Sequence, residues 1–134
     1  MLGLIEQRGV IYSKSRKQQI NDFSGLVYGK ITPTDIDGCI EYHNRLWVFF
    51  EVKMSGVDMP FGQGLALERL VIDTSSGGKK SIALVIDHDI NDVEQSIPVA
   101  DCYVRKYFYS GVGEWTNLDV PTTTKELIDS FLAQ

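Results

Sequence analysis

Short runs of β-branched and aromatic residues follow one another in the first half of the chain, and Gly, Pro, Thr or Asn bounds each run. Runs of this length and composition are typical of β-strands. The pattern predicts three consecutive strands, over residues 26–31, 36–42 and 46–53. Residues 1–21, which precede them, have mixed polarity and a weak helical period, and this predicts a helix or an ordered arm.

The next apolar pattern has the period of a helix. Leu67, Leu70 and Val71 recur at helical spacing and predict an amphipathic helix over residues 63–74. The continuous apolar run at residues 82–86 is typical of a strand that is covered on both faces. A strand that follows a strand and a helix in this way implies a crossover connection.

The last part of the chain predicts one more strand and a closing helix. Residues 101–109 alternate between two faces of a strand. One of these faces is predicted to carry Tyr103, Arg105, Tyr107 and Tyr109. Such an aromatic and basic stripe can stack on bases and pair with phosphates, but it is more often an amphipathic strand packed under a helix. Thr123 and Glu126 have the spacing of a capping box before a final apolar stripe.

The size and composition of the chain, 134 residues with 43% hydrophobic and 23% charged, suit one compact domain. The order of the elements predicts an α/β sandwich, a central mixed β-sheet flanked by helices, with residues 1–134 as a single domain. No apolar run reaches the roughly 18 residues of a membrane-spanning helix, and the first residues lack the apolar block of a secretory signal. We therefore expect a soluble protein of the cytoplasm. Cys39 and Cys102 are expected to be buried thiols, since two sulfurs without nearby histidines do not form a zinc site.

The formal net charge of −5 argues mildly against a tight nucleic-acid binder, because phosphate neutralisation requires basic residues. Carboxylates that cluster around a cation count as acidic in the sequence, however, and they are neutralised when metal binds. One segment near the N-terminus is locally basic and contains no acid. It carries Arg8, Lys14, Arg16 and Lys17. These residues could contact a phosphate backbone, and a solvated basic surface is an equally good interpretation.

Polar residues interrupt the second and third predicted strands. Alternation places Glu51 and Lys53 on the same face of their strand. If residues 43–45 form a three-residue hairpin loop, Asp37 faces Glu51 and Asp35 faces Lys53. A two-residue loop would instead turn Asp37 to the other face and separate the two carboxylates. The hypothesis of a common site therefore requires an odd loop length.

Two carboxylates at facing positions repel each other unless a cation compensates them. Oxygen ligands without histidine or thiolate favour Mg²⁺ or Mn²⁺ over zinc, and a substrate phosphate could supply a further oxygen. A cation in this position makes a water molecule easier to deprotonate for in-line attack on phosphorus. Lys53 could help to orient or deprotonate that water, or it could stabilise the charge that develops on phosphorus. The sequence leaves both roles open.

The combination of Asp37, the tripeptide Glu51-Val52-Lys53 and Gln63 resembles the PD-(D/E)XK nuclease superfamily, which has the restriction endonuclease-like fold. The match covers residues 31–70, and the sequence around its motifs is similar to that of small phage-type and Holliday-junction-resolvase-like members. The resemblance implies a set of site residues. They are the metal ligands Asp37 and Glu51, the Val52 carbonyl as a candidate third ligand, the catalytic Lys53 and the accessory Gln63.

The chain departs from the family pattern at one position. Thr34 stands where the family has an aspartate, and Asp35 follows it, so that two aspartates compete for the ligand role. Asp37 is favoured because it faces Glu51. Asp35 could pair with Lys53 or bind a second metal ion. A glutamine at the start of a helix is also an ordinary surface residue, so the accessory role of Gln63 is one of two interpretations.

The polar triplet Asp87-His88-Asp89 follows the apolar run. A histidine between acids could act as a general base. Polar clusters at strand ends are usually solvated, and no serine or cysteine stands in a Gly-x-Ser-x-Gly setting, so a hydrolase triad is not expected.

Together these features predict a metal-dependent nuclease that hydrolyses phosphodiester bonds with one or two Mg²⁺ or Mn²⁺ ions. DNA is the expected substrate, with RNA as the alternative, and cleavage by endo- or exonuclease action is open. A chain of this size has little surface for base readout, so we expect recognition of nucleic-acid structure rather than of sequence. The acidic balance implies that a homodimer or another partner adds affinity. The alternative function is a catalytically inactive module of the same fold that binds protein or nucleic acid.

Overall fold

The computed structural model describes residue 10 and residues 18–134. The chain divides into two compact units, residues 1–33 and residues 34–134. Most of the predicted N-terminal helix or arm lies outside the described residues. The prediction of a single domain over the whole chain stays a prediction.

In the first unit, the predicted strand over residues 26–31 is wrong. The chain turns here instead, and Tyr28 and Ile31 exchange two backbone hydrogen bonds of 2.8 and 3.0 Å around Gly29. Gly29 has a φ of +65°, which a residue without a Cβ adopts readily. Tyr28 and Ile31 are both exposed. Aromatic and β-branched residues favour strands through packing on a partner strand and a buried face, and residues 18–33 offer neither.

A five-stranded mixed sheet organises the second unit. In chain order and in spatial order, its strands are β1 (Gly38–Tyr42), β2 (Leu46–Met54), β3 (Lys80–His88), β4 (Tyr103–Tyr109) and β5 (Trp115–Asn117). β2 and β3 are parallel and are joined through helix α1 (Phe61–Thr74), whereas the other neighbours are antiparallel. The predicted crossover is confirmed. The sequence pattern does not predict β5, because three residues are too few to display a period.

Helices α1 and α2 (Thr124–Leu132) cover opposite faces of the sheet. The face under α1 is a cluster of Phe49, Leu67, Val71, Ala83 and Phe108. The other face holds a larger cluster of Leu46, Val48, Ile82, Leu84, Ile86, Val104 and Phe131. α2 begins with the predicted capping box, in which the backbone N–H groups of Thr123 and Glu126 donate to each other's side chains. The prediction of an α/β sandwich with a mixed sheet is confirmed, and the restriction endonuclease-like fold stays a prediction. Among the described residues, no helix is long and apolar enough to cross a membrane.

A β-bulge interrupts the pairing of β3 with β4. Val85 faces Lys106 and Ile86 faces Val104, so Arg105 has no partner on β3. An extra residue of this kind shifts the alternation of side chains along its strand. The predicted common face of Tyr103, Arg105, Tyr107 and Tyr109 is therefore wrong, because the prediction assumed an unbroken ladder.

The two cysteines are free thiols, but the prediction that both are buried is wrong. Cys39 is exposed and Cys102 is half-buried. Cys39 lies on β1, the edge strand of the sheet, whereas α1 packs mainly on β2, β3 and β4. An apolar-looking strand at an edge therefore keeps part of its surface in solvent.

The glycine that begins β1 is expected to be required for the packing of the hairpin. The aromatic ring of Phe50 lies directly over Gly38, and a methyl group at this residue would overlap the ring. We expect Gly38→Ala to lower the free energy of unfolding by about 1–3 kcal/mol, because the ring must move out of its place. Chemical denaturation measures this change.

Gly62→Ala is the matched control, since nothing lies within 4 Å of the position its methyl group would take. This variant should leave the stability unchanged or raise it by up to about 1 kcal/mol. An equal loss of stability in both variants would contradict the role given to the contact of Gly38 with Phe50.

Candidate metal centre and active site

The β1–β2 hairpin sets the register of the candidate site. Its loop has three residues, 43–45, and its ladder runs from Tyr42 opposite Leu46 to Gly38 opposite Phe50. This is the register that the sequence predicts for an odd loop length. The prediction of the hairpin register is therefore confirmed.

Asp37 continues the hairpin contact with its side chain. The ladder of β1 ends at Gly38, and Asp37 Oδ2 accepts a hydrogen bond of 2.7 Å from the backbone N–H of Val52. The carboxylate thus takes the place of the carbonyl that a longer strand would supply. Because the N–H and C=O of one residue point to the same side of a strand, the Val52 carbonyl also points toward the side on which Asp37 lies, beyond the end of β1.

Glu51 and Lys53 lie on the side of β2 that faces α1, as the alternation predicts, since Phe49 packs in the cluster beneath that helix. The Lys53 Nζ is 3.7 Å from Glu51 Oε1. The Glu51 side chain is only 6% exposed and that of Lys53 is 20% exposed. A partly buried pair of this kind is screened less by salt than a surface pair.

Gln63 enters the site from the first turn of α1. Its Nε2 donates a hydrogen bond of 3.1 Å to the backbone carbonyl of Asp35, which ties the segment before β1 to the helix. Gln63 also lies close enough to Glu51 for a side-chain hydrogen bond to lower the pKa of that carboxyl. The structure therefore brings Gln63 together with Glu51 and with the segment that carries Asp37.

The Glu51 carboxyl binds its proton more strongly than a free glutamate does. Its pKa is raised from 4.5 to about 7, first by burial and then by a side-chain hydrogen bond with Asp37 and by the charge of Asp37. The charge of Lys53 and the hydrogen bond from Gln63 oppose the shift without cancelling it. A carboxyl with this pKa is partly protonated at neutral pH, and a nearby cation favours its ionised form.

Two oxygen atoms of the site are buried without a hydrogen-bond partner among the described residues, Glu51 Oε2 and Gln63 Oε1. Leaving such atoms unpaired is unfavourable, so they mark a place that a proton, a water molecule or a cation completes. The chain offers the carboxylates of Asp37 and Glu51 and the carbonyl of Val52, an all-oxygen set of the kind that Mg²⁺ and Mn²⁺ prefer.

The number of acidic ligands in this set is small. Within residue 10 and residues 18–134, no group of three or more His, Cys, Asp or Glu side chains is arranged to hold a metal ion. A cation at Asp37 and Glu51 would take its other ligands from the backbone, from water and from substrate. Mg²⁺ is commonly bound in this way, through one or two carboxylates and several waters.

Asp35 contributes its backbone to the site and not an ion pair. In the described part of the chain, Lys53 pairs with Glu51 and has no ion pair with Asp35. The predicted pairing of Asp35 with Lys53 is wrong, because β1 begins at Gly38 and no ladder holds Asp35 opposite Lys53. A role for Asp35 at a second metal ion stays a prediction. The basic residues proposed to contact nucleic acid lie outside the described residues; they are Arg8, Lys14, Arg16 and Lys17.

An ion pair next to the site, between Asp87 and Arg105, is not predicted from the sequence. Asp87 is the register partner of Lys53 on β3, and Arg105 binds its Oδ1 through Nε at 2.8 Å and Nη2 at 2.6 Å. The interpretation of Asp87 as a solvated strand-end residue is therefore wrong. No periodic signal identifies this pair, because the bulge at Arg105 decides where the guanidinium reaches.

The comparisons with known proteins assign neither a family nor a function to this chain. A scan against models of protein families, a search of curated proteins and a search of solved structures found no match to this chain. The residues and their geometry are therefore the basis for the function proposed below.

The ionisation of Glu51 is expected to make the folding stability depend on pH when no divalent cation is present. Below pH 4.5 this carboxyl is protonated in the folded and in the unfolded chain, and its raised pKa has no effect. Between pH 4.5 and about 7 the unfolded chain loses the proton and the folded chain keeps it, so rising pH favours unfolding. The loss reaches up to about 1.4 kcal/mol for each pH unit.

Denaturation of wild type and of Glu51→Gln at several pH values measures this effect. The variant cannot titrate at this position, so its stability relative to wild type should increase across the window. A constant difference between the two proteins from pH 4.5 to 7 would contradict the raised pKa.

Proposed function

We propose that the protein is a metal-dependent nuclease that hydrolyses phosphodiester bonds of nucleic acid. The Glu51 carboxyl carries the proposal, because its Oε2 is buried and unpaired among the described residues, while Asp37 lies beside it and Lys53 pairs with its other oxygen. Strongly perturbed carboxyl groups are concentrated at functional sites. The resemblance to the PD-(D/E)XK superfamily adds support, since Asp37 immediately precedes β1, Glu51 and Lys53 lie on β2, and Gln63 lies on the helix that follows.

Asp37, Glu51 and the Val52 carbonyl would hold one or two Mg²⁺ or Mn²⁺ ions. A bound cation would supply Lewis-acid activation of the scissile phosphate and of the attacking water. Asp37 is exposed whereas Glu51 is buried, so the site opens to solvent on the side of Asp37. A phosphate group can approach from that side without displacing core residues.

Lys53 would serve the reaction through its charge and its hydrogen-bond donors. Its positive charge lowers the pKa of Glu51 and so favours the ionised carboxylate that cation binding requires. An ammonium group has three donors, and Lys53 could direct one of them to the phosphate oxygen on which negative charge develops or to the attacking water. Gln63 would keep Asp37 in place by holding the backbone of Asp35 against α1.

We propose DNA as the substrate and a structural feature of DNA as the determinant of cleavage. The net charge of −5 supports this choice, because weak neutralisation of phosphates leaves little affinity for a uniform duplex. A second copy of the chain, or another partner, would supply the missing affinity by presenting a second contact to the same DNA.

The second candidate is a catalytically inactive module of this fold that binds protein or nucleic acid. The acidic net charge favours it, because a surface of this sign suits basic partners better than phosphates. In such a module the Glu51 carboxyl would keep its proton, and the site would have no affinity for a cation.

Cleavage assays test the proposed function. Wild type, Lys53→Ala and Glu51→Ala are incubated with branched, duplex and single-stranded DNA, and with RNA, in the presence of Mn²⁺. We expect both variants to cleave at least about 10²-fold more slowly than wild type, since each removes a group that acts on the reacting atoms. Lys125→Ala is the control, because it removes an exposed lysine that pairs with Asp129 on α2, away from the site residues. Equal rates for all four proteins would leave the assignment without support.

Binding of the cation and turnover of substrate should be separable. Isothermal titration of wild type with Mn²⁺ is expected to show heat, and Asp37→Asn and Glu51→Gln should lose most of it because each removes one of two carboxylates. Lys53→Met should still bind Mn²⁺, since both carboxylates are kept, but it should cleave more slowly than wild type. No heat from the wild-type protein would favour the inactive module.

A further inference from the structure

Two carboxylates lie within reach of the Lys53 side chain. Glu51 lies two residues earlier on the same face of β2, and Asp87 is the register partner of Lys53 on β3. Paired strands are about 4.8 Å apart and register partners share a face, so Asp87 is within reach of a lysine side chain. In the described structure, however, Lys53 pairs with Glu51 at 3.7 Å and forms no ion pair with Asp87.

Arg105 accounts for this preference, because it already forms an ion pair with the Asp87 carboxylate. Its Nε donates to Asp87 Oδ1 at 2.8 Å and its Nη2 lies 2.6 Å from the same oxygen, much closer than the 3.7 Å contact of Lys53 with Glu51. The side chains of Arg105 and Asp87 are 23% and 29% exposed, so solvent screens the pair only in part. A guanidinium group in a protein is also always charged.

We infer that Arg105 is a positioning residue of the site: it holds the Asp87 carboxylate and thereby leaves the Lys53 ammonium group on Glu51. The bulge in β4 makes this possible, since it adds Arg105 to the strand without giving it a partner on β3. The expected effect on cleavage rests on the proposed nuclease function. The expected effect on the partner of Lys53 does not, and it is measured without substrate or metal.

Arg105 has a second set of contacts, and these define the competing explanation. Its Nη1 donates to the Val57 carbonyl at 2.8 Å and its Nη2 to the Met54 carbonyl at 3.4 Å, which ties down the loop between β2 and α1. A residue that only clamps this loop would influence the site by holding Gln63 and Lys53 in place. The two explanations differ in what removal of the Asp87 charge should do.

Crystal structures of metal-free variants test the inference through the position of Lys53 Nζ. In Arg105→Gln, which removes the charge together with the Nη1 and Nη2 contacts to the loop, Nζ should move to within about 4 Å of Asp87 and leave Glu51. In Arg105→Lys, and in Arg105→Gln combined with Asp87→Asn, Nζ should stay on Glu51. Retention of the Glu51 pair in Arg105→Gln, or its loss in the double variant, would overturn the inference.

Asp87→Asn alone gives a test that does not depend on the folding of an Arg105 variant. It keeps the guanidinium and its loop contacts and removes only the competing charge, so Lys53 must stay on Glu51. Departure of Lys53 from Glu51 in this variant would mean that Asp87 supports the pair, and would overturn the inference.

Kinetics give the functional readout. Arg105→Gln should lower kcat on the order of 10-fold with little change in KM, because the substrate contacts are intact and the lysine is displaced. Adding Asp87→Asn should restore most of kcat, whereas a loop clamp would stay broken and show no recovery. Lys125→Met combined with Asp129→Asn, which removes an exposed pair on α2, is the matched control and should leave kcat unchanged. If the wild-type protein cleaves nothing, the proposed function fails, and the position of Lys53 still decides the inference.

Discussion

The number of residues in the β1–β2 loop is the constraint on which the candidate site depends. Side chains alternate along a strand with a period of two, so a loop shorter by one residue would turn every side chain of β1 to the other face. Residues 43–45 keep the odd length, and His43 and Asn44 accept positive φ angles of 53° and 56° to close the turn. Asn44 is further held by a hydrogen bond of 2.8 Å from Lys79. The geometry at Glu51 is therefore fixed by contacts about 20 Å away along the strand.

The burial of Glu51 shows that the fold tolerates an unfavourable residue at this position. Phe49, the preceding residue on the same face of β2, and Val85, the register partner of Glu51 on β3, are apolar and buried, and an apolar side chain at residue 51 would continue that core. Instead the chain places a carboxyl there, next to a second carboxyl, and leaves one oxygen unpaired. Proteins deviate from the locally most stable choice mainly where function demands it. Any ligand that binds only the folded site would recover part of this stability.

Periodic signals carried most of what the sequence could predict. The strand and helix periods give β2, α1 and the crossover to β3, and the loop length gives the register that brings Asp37 to Glu51. The errors arise where one residue breaks a period or where pairing is absent. The bulge at Arg105 turns the side chains on one side of it to the face opposite to the predicted one. Residues 26–31 have the composition of a strand but no partner strand. The predicted position of Asp35 opposite Lys53 is wrong for a similar reason. β1 begins at Gly38, so the ladder extrapolated from the hairpin does not extend to Asp35.

The acidic net charge of the protein does not conflict with the proposed nucleic-acid substrate when the charges at the site are counted together with a bound cation. Asp37, Glu51 and Asp87 provide three carboxylates there, and Lys53 and Arg105 provide two cations. With every group ionised this cluster is negative and repels a phosphate, and with a proton on Glu51 it is neutral. A divalent cation on the ionised carboxylates would make it positive, so that the attraction for phosphate would arise only with the cation bound. The charge summed over the sequence omits this reversal, because it counts the ligands of a cation and leaves out the cation.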